Sequence, residues 1–180
     1  MENVSSGRPG FVVWLTGLPC SGKSTISNWL LPAIRGTGRN VEILDGDIVR
    51  TNLTKGLSFD KEDRDTNVRR VGFVANLLAR NGTAVVCAVV SPYRNIRDEL
   101  RSTVTNFVEV FVDTPAEICA QRDVKGMWAQ AKAGQIKNFT GYDDPYEPPM
   151  SPHVHIKTME ESVDQSGQKV LNFLKEKGWL

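Results

Sequence analysis

Residues 17–24 read Gly-Leu-Pro-Cys-Ser-Gly-Lys-Ser and follow an apolar run, Phe-Val-Val-Trp-Leu-Thr, at 11–16. The two glycines permit tight turns, so that consecutive backbone N–H groups can converge on phosphate oxygens. Lys23 supplies a positive charge for the outer phosphates, and the Ser24 hydroxyl can ligand Mg²⁺. A helix expected over about 24–31 points its positive N-terminal end at the same anion. The pattern predicts a buried strand, a phosphate-binding loop and a helix that together bind a nucleoside triphosphate.

The alternative is a glycine-rich turn that matches this pattern by chance. The apolar run favours the phosphate-binding loop, because that motif needs a buried strand directly before it. We assign the nucleotide site to the residues Gly17, Pro19, Cys20, Ser21, Gly22, Lys23, Ser24, Thr25 and Arg122. Arg122, which follows a predicted helix, could lie over the nucleotide base, although an arginine at a helix C-terminus needs no such role.

The length and net charge of the chain limit its number of domains and the kinds of partner it can bind. The chain has 180 residues, which suits a single domain over 1–180 with one continuous core. Its formal net charge of +1 gives no reason to expect a nucleic acid partner. Residues 1–9 are short and polar, so we expect them to be flexible and not a secretory signal. No apolar run approaches the roughly 20 residues that a membrane span needs, so we expect no membrane partner.

The cysteines favour a cytoplasmic location. Cys20, Cys87 and Cys119 are odd in number and form no Cys-x-x-Cys pair, which suits a reducing compartment and disfavours a zinc site. Cys20 lies inside the predicted phosphate-binding loop, where its oxidation could block nucleotide binding, but we interpret it as a small filler.

Apolar runs alternate with helical patterns along the rest of the chain. The predicted strands are 41–44, 83–90, 107–112 and a weak 154–156, and the last is followed by a helix of about 160–177. Fully apolar runs separated by helices favour an α/β fold with a parallel sheet covered on both faces. Ligands in such folds gather beyond the carboxyl ends of the strands, which makes Asp45, Ser91 and Asp113 candidates.

Two long polar stretches, about 47–61 and 122–152, lack strand character. Loops of this length are usually functional or disordered. We expect the second, which is rich in glycine and proline, to form a lid. A phosphoryl-transfer enzyme needs a lid because water would otherwise compete as the acceptor.

The acidic residues after the second predicted strand separate this chain from other nucleotide-binding classes. The Asn-Lys-x-Asp segment of guanine-specific GTPases is missing, and the strand at whose end motor ATPases place an acid ends here in Ser91. Asp45 and Asp47 instead flank a glycine, so that one could hold Mg²⁺ while the other orients and deprotonates an acceptor hydroxyl. An ordinary Asp-Gly turn is the alternative.

Two other polar patterns favour structural roles. Residues 114–117, Thr-Pro-Ala-Glu, read as a capping box with proline at the first helical position, which makes Asp113 a structural residue. His153 and His155 alternate with apolar residues on the weak last strand, where we do not expect metal ligation.

The helix that starts near Lys61 indicates an anionic substrate. At 100° per residue, one face carries Arg64, Asn67, Val68, Val71, Ala75 and Leu78. Arg64 and Asn67 therefore occupy the first turn of the buried side, where the helix dipole disfavours arginine and a bound anion would relieve the conflict. The alternative is a surface helix start with scattered arginines.

Phe59 and Phe139 lie in the two polar stretches. An aromatic ring in such a stretch either anchors (pins) the loop to the core or stacks on a flat ligand, and from the residues alone pinning is the first choice.

Several segments together resemble the adenylyl-sulfate kinase (APS kinase) family over about residues 11–174. Besides the phosphate-binding loop, the matching segments are Leu-Asp-Gly-Asp at 44–47 with Arg50, Gly-Leu-Ser-Phe at 56–59, Glu-Asp-Arg at 62–64, Asn-Val-Arg-Arg at 67–70, Ser-Pro-Tyr at 91–93, Arg-Asp-Val-Lys-Gly at 122–126 and Ala-Gly-Gln-Ile-Lys-Asn-Phe-Thr-Gly at 133–141. The chain is too short to carry the sulfurylase fused to larger relatives, so it resembles the stand-alone form.

The resemblance implies a P-loop kinase fold with a mainly parallel five-stranded sheet and a lid. It also implies transfer of the γ-phosphoryl group of ATP to the ribose 3′-hydroxyl of adenylyl sulfate, with Mg²⁺ as cofactor. Phe59 and Phe139 then resemble the pair that sandwiches the substrate adenine, which replaces the pinning interpretation. Ser91 matches a serine of the family that has been described as a phosphoenzyme candidate. In-line transfer needs a well-positioned acceptor hydroxyl and not a covalent intermediate, so we expect Ser91 to donate a hydrogen bond to the substrate.

The resulting hypothesis names three sets of residues. The catalytic residues are Lys23, Asp45, Asp47 and Ser91, with Ser24 and Asp45 on the metal. The substrate residues are Asp47, Arg50, Phe59, Arg64, Asn67, Ser91, Lys125, Asn138 and Phe139. Asp47 is our choice for the base, although the two aspartates could exchange roles. The resemblance also implies a homodimer. The alternatives are a P-loop kinase for another small hydroxylated metabolite and a non-catalytic ATP-binding sensor.

Overall fold

A computed structural model describes residues 7–180, in which five parallel strands form one sheet. The strands are β1 (Phe11–Thr16), β2 (Val41–Asp45), β3 (Ala84–Ala88), β4 (Phe107–Asp113) and β5 (Val154–Lys157). Their order across the sheet is β2-β3-β1-β4-β5. The predicted α/β fold is therefore confirmed. β3 ends two residues before the predicted strand end, since the chain leaves the sheet toward Ser91, whose φ is 42°.

The helices within the described residues connect and cover these strands. They are α1 (Lys23–Arg35), α2 (Gly46–Asn52), α3 (Lys61–Arg80), α4 (Arg94–Thr103), α5 (Ala116–Arg122), α6 (Met127–Lys132) and α7 (Val163–Glu176). None of the helices in residues 7–180 is long and apolar enough to cross a membrane. The flexibility predicted for residues 1–9 falls mainly on 1–6, which lie outside the described residues.

Both faces of the sheet are buried, as the fully apolar runs predict. On β1, Phe11, Val13 and Leu15 pack into a core cluster together with side chains of α1 and α7. Val12 and Trp14 point to the opposite face and join a second cluster with α3 and α4. Because β1 is covered on both sides, its carboxyl end is held rigidly, and the loop at 17–22 starts from that fixed point.

Three local predictions need correction. α1 continues past Pro32, four residues beyond the predicted end, since Ile34 is fully buried in the core. The first polar stretch contains α2, which Asp45 caps by accepting a hydrogen bond from the Asp47 N–H at 3.1 Å. The second polar stretch contains α6. Both helices are six or seven residues long, too short for a clear period in the sequence.

The predicted capping box at 114–117 is also wrong. α5 has no side-chain cap. The Thr114 hydroxyl instead donates to the carbonyl oxygen of Ser21 at 2.9 Å, and it also contacts the Thr158 hydroxyl. Thr114 therefore ties the end of β4 to the loop after β1 rather than starting a helix.

A buried ion pair joins the middle of the sheet to the segments on its carboxyl side. Arg97 of α4 and Glu109 of β4 are 1% and 3% exposed and approach to 2.9 Å. Arg97 also donates to the carbonyl oxygens of Ser91 at 2.6 Å and Glu147 at 2.5 Å. The same guanidinium thus fixes the chain after β3 and the end of the polar segment 122–152.

Replacing Glu109 with glutamine should lower the free energy of unfolding by about 3–5 kcal/mol, because it leaves the Arg97 charge buried without a counter-charge. Urea denaturation of the purified protein measures this. The matched control is Glu99→Gln, which breaks the exposed pair with Arg69 and should cost about 0–1 kcal/mol. Equal costs for the two substitutions would contradict a stabilising role for the buried pair.

Candidate active site

A cavity of about 750 Å³ opens where β1, β2 and β3 end. Its walls contain every residue predicted for the site except Gly17 and Asn138. Parallel strands bring their carboxyl ends to one edge of a sheet, which explains why residues far apart in sequence share this space. The predicted nucleotide residues and the predicted substrate residues therefore belong to one continuous cavity.

The loop at 17–22 has the backbone shape that a phosphate-binding loop needs. Gly22 has a φ of 107°, and Gly17 sits so close to β4 that a Cβ there would lie 2.4 Å from the Val112 carbonyl oxygen. Only glycine fits both conditions. Cys20 is intermediate in exposure and unpaired, and its φ of 66° belongs to the tight turn of the loop.

Lys23 is folded against this loop. Its ammonium donates to the carbonyl oxygens of Gly17 at 2.9 Å and Leu18 at 2.7 Å. Burial lowers the pKa of Lys23 to about 8. No carboxylate within residues 7–180 forms an ion pair with it. The ammonium also donates to the Ser21 hydroxyl at 3.4 Å. A buried ammonium held only by neutral oxygen acceptors is well suited to exchange those contacts for an anion.

Ser24 and Asp45 form the oxygen pair predicted for a metal. The Ser24 hydroxyl donates to Asp45 Oδ2 at 2.6 Å, and Oδ1 of the same carboxylate accepts the Asp47 N–H. A hydroxyl beside a carboxylate is a hard, oxygen-only donor set, which fits Mg²⁺ and does not fit a thiolate-seeking metal.

Asp47 points away from this pair and is 67% exposed along its side chain. Its carboxylate forms an ion pair with Lys125, which belongs to the segment 122–152. The Asp-Gly-Asp segment thus separates its two carboxylates: Asp45 contacts the phosphate-binding loop, and Asp47 contacts the polar segment.

Arg122 lies beside the loop at 17–22, and its predicted contact with the nucleotide base stays a prediction. Its Nη1 donates to the Ser21 carbonyl oxygen at 3.3 Å. The guanidinium lines the cavity together with Pro19 and Thr25. Its position is compatible with contact to a nucleotide base.

Phe59 forms an aromatic wall of the cavity and is 38% exposed. The Arg50 guanidinium carbon lies 4.2 Å from the centre of its ring, and that of Arg64 lies 5.6 Å away. Burial lowers the pKa of Arg50, and the nearby charge of Arg64 adds to this effect. Two cations around one ring create a strongly positive pocket that suits a flat anion.

Arg64 is buried on the face of α3 that the helical period predicted, at 7% exposure. Protein acceptors, rather than an anion, satisfy it: Nε donates to the Phe59 carbonyl at 2.6 Å, and Nη1 donates to the Thr140 hydroxyl at 2.6 Å. Nη2 donates to the Asn138 carbonyl. The conflict of a buried arginine at a helix start is thus resolved by two loops that it holds together.

Phe139 is both pinned and part of the cavity wall. Its ring is 4% exposed and meets Trp128 edge to face at a centroid distance of 5.1 Å. It packs with Cys119 and Ala131 in a small separate cluster, and it also lines the cavity. The two interpretations that the sequence left open for this ring are therefore compatible.

Ser91 and Asn67 are held by internal hydrogen bonds. The Ser91 hydroxyl is 1% exposed, accepts from the Trp14 indole N–H at 3.0 Å and donates to Thr16 at 3.0 Å. Asn67 accepts from the Thr54 hydroxyl at 2.8 Å. The catalytic and substrate roles of Ser91 stay predictions, and its contacts favour a structural role. Asn67 keeps its amide N–H₂ group available for a ligand.

One wall of the cavity was not predicted from the sequence. It consists of Thr158 and Glu161, between β5 and α7, and of Val163 and Ser166 in the first turn of α7. The signal that could have found it is Thr158, which directly follows β5, as the rule that selected Asp45 and Ser91 requires. The weakness of β5 in the sequence concealed it.

Comparison with known proteins identifies the family. The chain matches the model of the adenylylsulphate kinase family over residues 9–157. It is 57% identical over 173 residues to the adenylyl-sulfate kinase of Rippkaea orientalis, and the alignment covers 96% of each chain.

Solved structures give the same result. The APS kinase CysC of Mycobacterium tuberculosis, determined in complex with AMPPNP and APS, is 38% identical with a TM-score of 0.89, over 93% of this chain and 99% of that one. The hexameric APS kinase from Thiobacillus denitrificans is 36% identical with a TM-score of 0.75, over 96% of this chain and 30% of that one. With the family model matched over residues 9–157 and the Rippkaea orientalis relative covered over 96% of its length, the chain belongs to the adenylylsulphate kinase family.

Proposed function

We propose that this chain transfers the γ-phosphoryl group of ATP to the ribose 3′-hydroxyl of adenylyl sulfate, giving 3′-phosphoadenylyl sulfate and ADP. The observation that carries the proposal is the single cavity that contains the phosphate-binding loop and the arginine-flanked Phe59. Family membership makes the chain an ATP-dependent kinase, and the relatives named as adenylyl-sulfate kinases support this acceptor.

The nucleotide end of the cavity holds the triphosphate. Lys23 exchanges the carbonyl oxygens of Gly17 and Leu18 for the β- and γ-phosphates, and those charges raise its lowered pKa again. The backbone N–H groups of the loop and the start of α1 complete the cradle. Ser24 and Asp45 would hold Mg²⁺, which neutralises charge on the β- and γ-phosphates.

The other end of the cavity receives adenylyl sulfate. Phe59 and Phe139 stack on its adenine, as the resemblance implies, and the surrounding cations attract its phosphosulfate. The polar and charged residues that take part are Arg50, Arg64, Asn67, Lys125 and Asn138. Arg64 contributes mainly by holding the walls, because three of its N–H groups already serve protein acceptors.

Asp47 is the general base. Both oxygens of the Asp45 carboxylate already accept hydrogen bonds, one from the Ser24 hydroxyl and one from the Asp47 N–H. The Asp47 carboxylate contacts only the exposed Lys125 ammonium. Arrival of the phosphosulfate draws Lys125 away and frees Asp47 to take the 3′-hydroxyl proton. The 3′-oxygen then attacks the γ-phosphorus in line, the bond to the β–γ bridging oxygen breaks, and ADP leaves.

The proposal also covers the oligomeric state and the cellular location of the protein. We propose a homodimer, which the resemblance implies, and light scattering on the purified protein distinguishes it from the hexamer described for the Thiobacillus denitrificans relative. A cytoplasmic location is supported by three thiols that are unpaired in the structure.

The acceptor is tested by ADP release with and without adenylyl sulfate. ADP should form only when adenylyl sulfate is present, because the segment 122–152, as a lid over the bound substrates, would exclude water as acceptor. Gluconate and adenosine serve as competing acceptors, and Lys23→Ala, which should reduce turnover to background, is the control for contaminating kinases. Turnover with gluconate or adenosine, or the absence of turnover with adenylyl sulfate, would contradict the proposal.

Asp47→Asn should lower kcat about 100-fold or more while leaving the dissociation constant of ATP within about 2-fold, because it removes the base and not a phosphate contact. Steady-state kinetics and calorimetry measure the two quantities. The matched variant is Asp45→Asn, which should instead raise the Mg²⁺ concentration needed for half-maximal turnover. If the two phenotypes are exchanged, the aspartates have the opposite roles.

A further inference from the structure

One carboxylate closes the turn that carries Phe139. Asp143 Oδ1 accepts from the Phe139 N–H at 2.5 Å, and Oδ2 accepts from the Asn138 N–H at 2.9 Å. The Phe139 carbonyl oxygen in turn accepts from the N–H groups of 142–144. Asn138 has a φ of 56°, a left-handed conformation that asparagine tolerates better than most residues. The segment is therefore closed on itself around the Phe139 backbone.

The closed turn is also fastened from outside. Arg64 donates to the Thr140 hydroxyl at 2.6 Å and to the Asn138 carbonyl, and Trp128 packs edge to face on the Phe139 ring. Asp143 itself is exposed and contributes no buried area to the core. Its function therefore lies in its two hydrogen bonds rather than in packing.

The proton state of Asp143 agrees with this arrangement. The Phe139 N–H lowers the pKa of the Asp143 carboxyl, and the Asn138 N–H adds to the effect. The carboxylate is thus ionised at neutral pH, where charge-assisted hydrogen bonds to backbone N–H groups are stronger than neutral ones.

We propose that Asp143 is a positioning residue for the acceptor substrate: it holds the backbone of 138–139 so that the Phe139 ring is in place on the cavity wall before the adenine of adenylyl sulfate stacks on it. A ring that is already ordered loses less conformational entropy on binding, and the saved entropy increases affinity. This inference rests on the proposed function, because it assumes that the ligand of Phe139 is the adenine of the acceptor.

Steady-state kinetics test the inference. Asp143→Ala should raise the KM for adenylyl sulfate about 5- to 20-fold, part of the effect of losing a base–aromatic stack, and should leave the KM for ATP within about 2-fold. Asp143→Asn should be intermediate, because its single amide oxygen replaces two carboxylate oxygens. Asp98→Ala, which removes an exposed carboxylate of α4, is the matched control and should change neither KM.

A double mutant separates positioning from general stability. In a Phe139→Ala background, Asp143→Ala should cause no further rise in the KM for adenylyl sulfate, since the group that it positions is gone. Multiplicative effects of the two substitutions, an equal rise in both KM values, or no change in either KM would overturn the inference.

Hydrogen exchange gives a readout that needs no substrate. Amides of 138 and 139 should exchange faster in Asp143→Ala than in the wild type, while the amides of β1 should stay protected. Unchanged exchange at 138 and 139 would overturn the positioning role. If exchange rises but the wild type shows no turnover with adenylyl sulfate, the proposed function fails and the assigned ligand of Phe139 fails with it, while the role of Asp143 in the turn stands.

Discussion

Parallel hydrogen bonding of β1 to both β3 and β4 places the phosphate-binding loop between two strand ends. Val13 pairs with Val86 on one side and with Val108 on the other, and both faces of β1 are buried. The loop therefore starts from a fixed point in the centre of the sheet. Gly17 fits there only because it lacks a Cβ that would meet the β4 backbone. The cavity and the hydrogen-bonded pair of Ser24 and Asp45 take their positions from this arrangement.

Several polar and charged groups of the cavity bond to each other or to the backbone, while Arg50 contacts the Phe59 ring. Lys23 bonds to loop carbonyls, Ser24 to Asp45, and Lys125 to Asp47. Of these groups only the Lys23 ammonium is a buried charge, and under the proposed function it exchanges the loop carbonyl oxygens for phosphate oxygens, so that it keeps polar partners in both states. Under the proposed function, substrate binding replaces these partners one by one.

Local patterns in the sequence were enough to predict the phosphate-binding loop, the paired aspartates and the buried face of α3. Arg64 was correctly expected on that face, but its partners in 138–140 lie more than 70 residues away, and no periodicity reports such a contact. For Thr114 the local pattern itself led to a wrong prediction. The residue has a capping pattern, yet a stronger tertiary partner, the Ser21 carbonyl, takes its hydroxyl. Long-range hydrogen bonds of single side chains decided both cases, and sequence spacing does not encode them.

The central claim is that ATP and adenylyl sulfate meet in one cavity and that the phosphoryl group passes between them directly. Under this claim the Ser91 hydroxyl, which is held by Trp14 and Thr16, takes no covalent part. The stereochemical course at phosphorus tests this most directly, with ATP made chiral at the γ-phosphorus by oxygen isotopes. A single in-line transfer predicts inversion of configuration in the 3′-phosphate product. Retention would require two displacements through a phosphorylated residue and would contradict direct transfer.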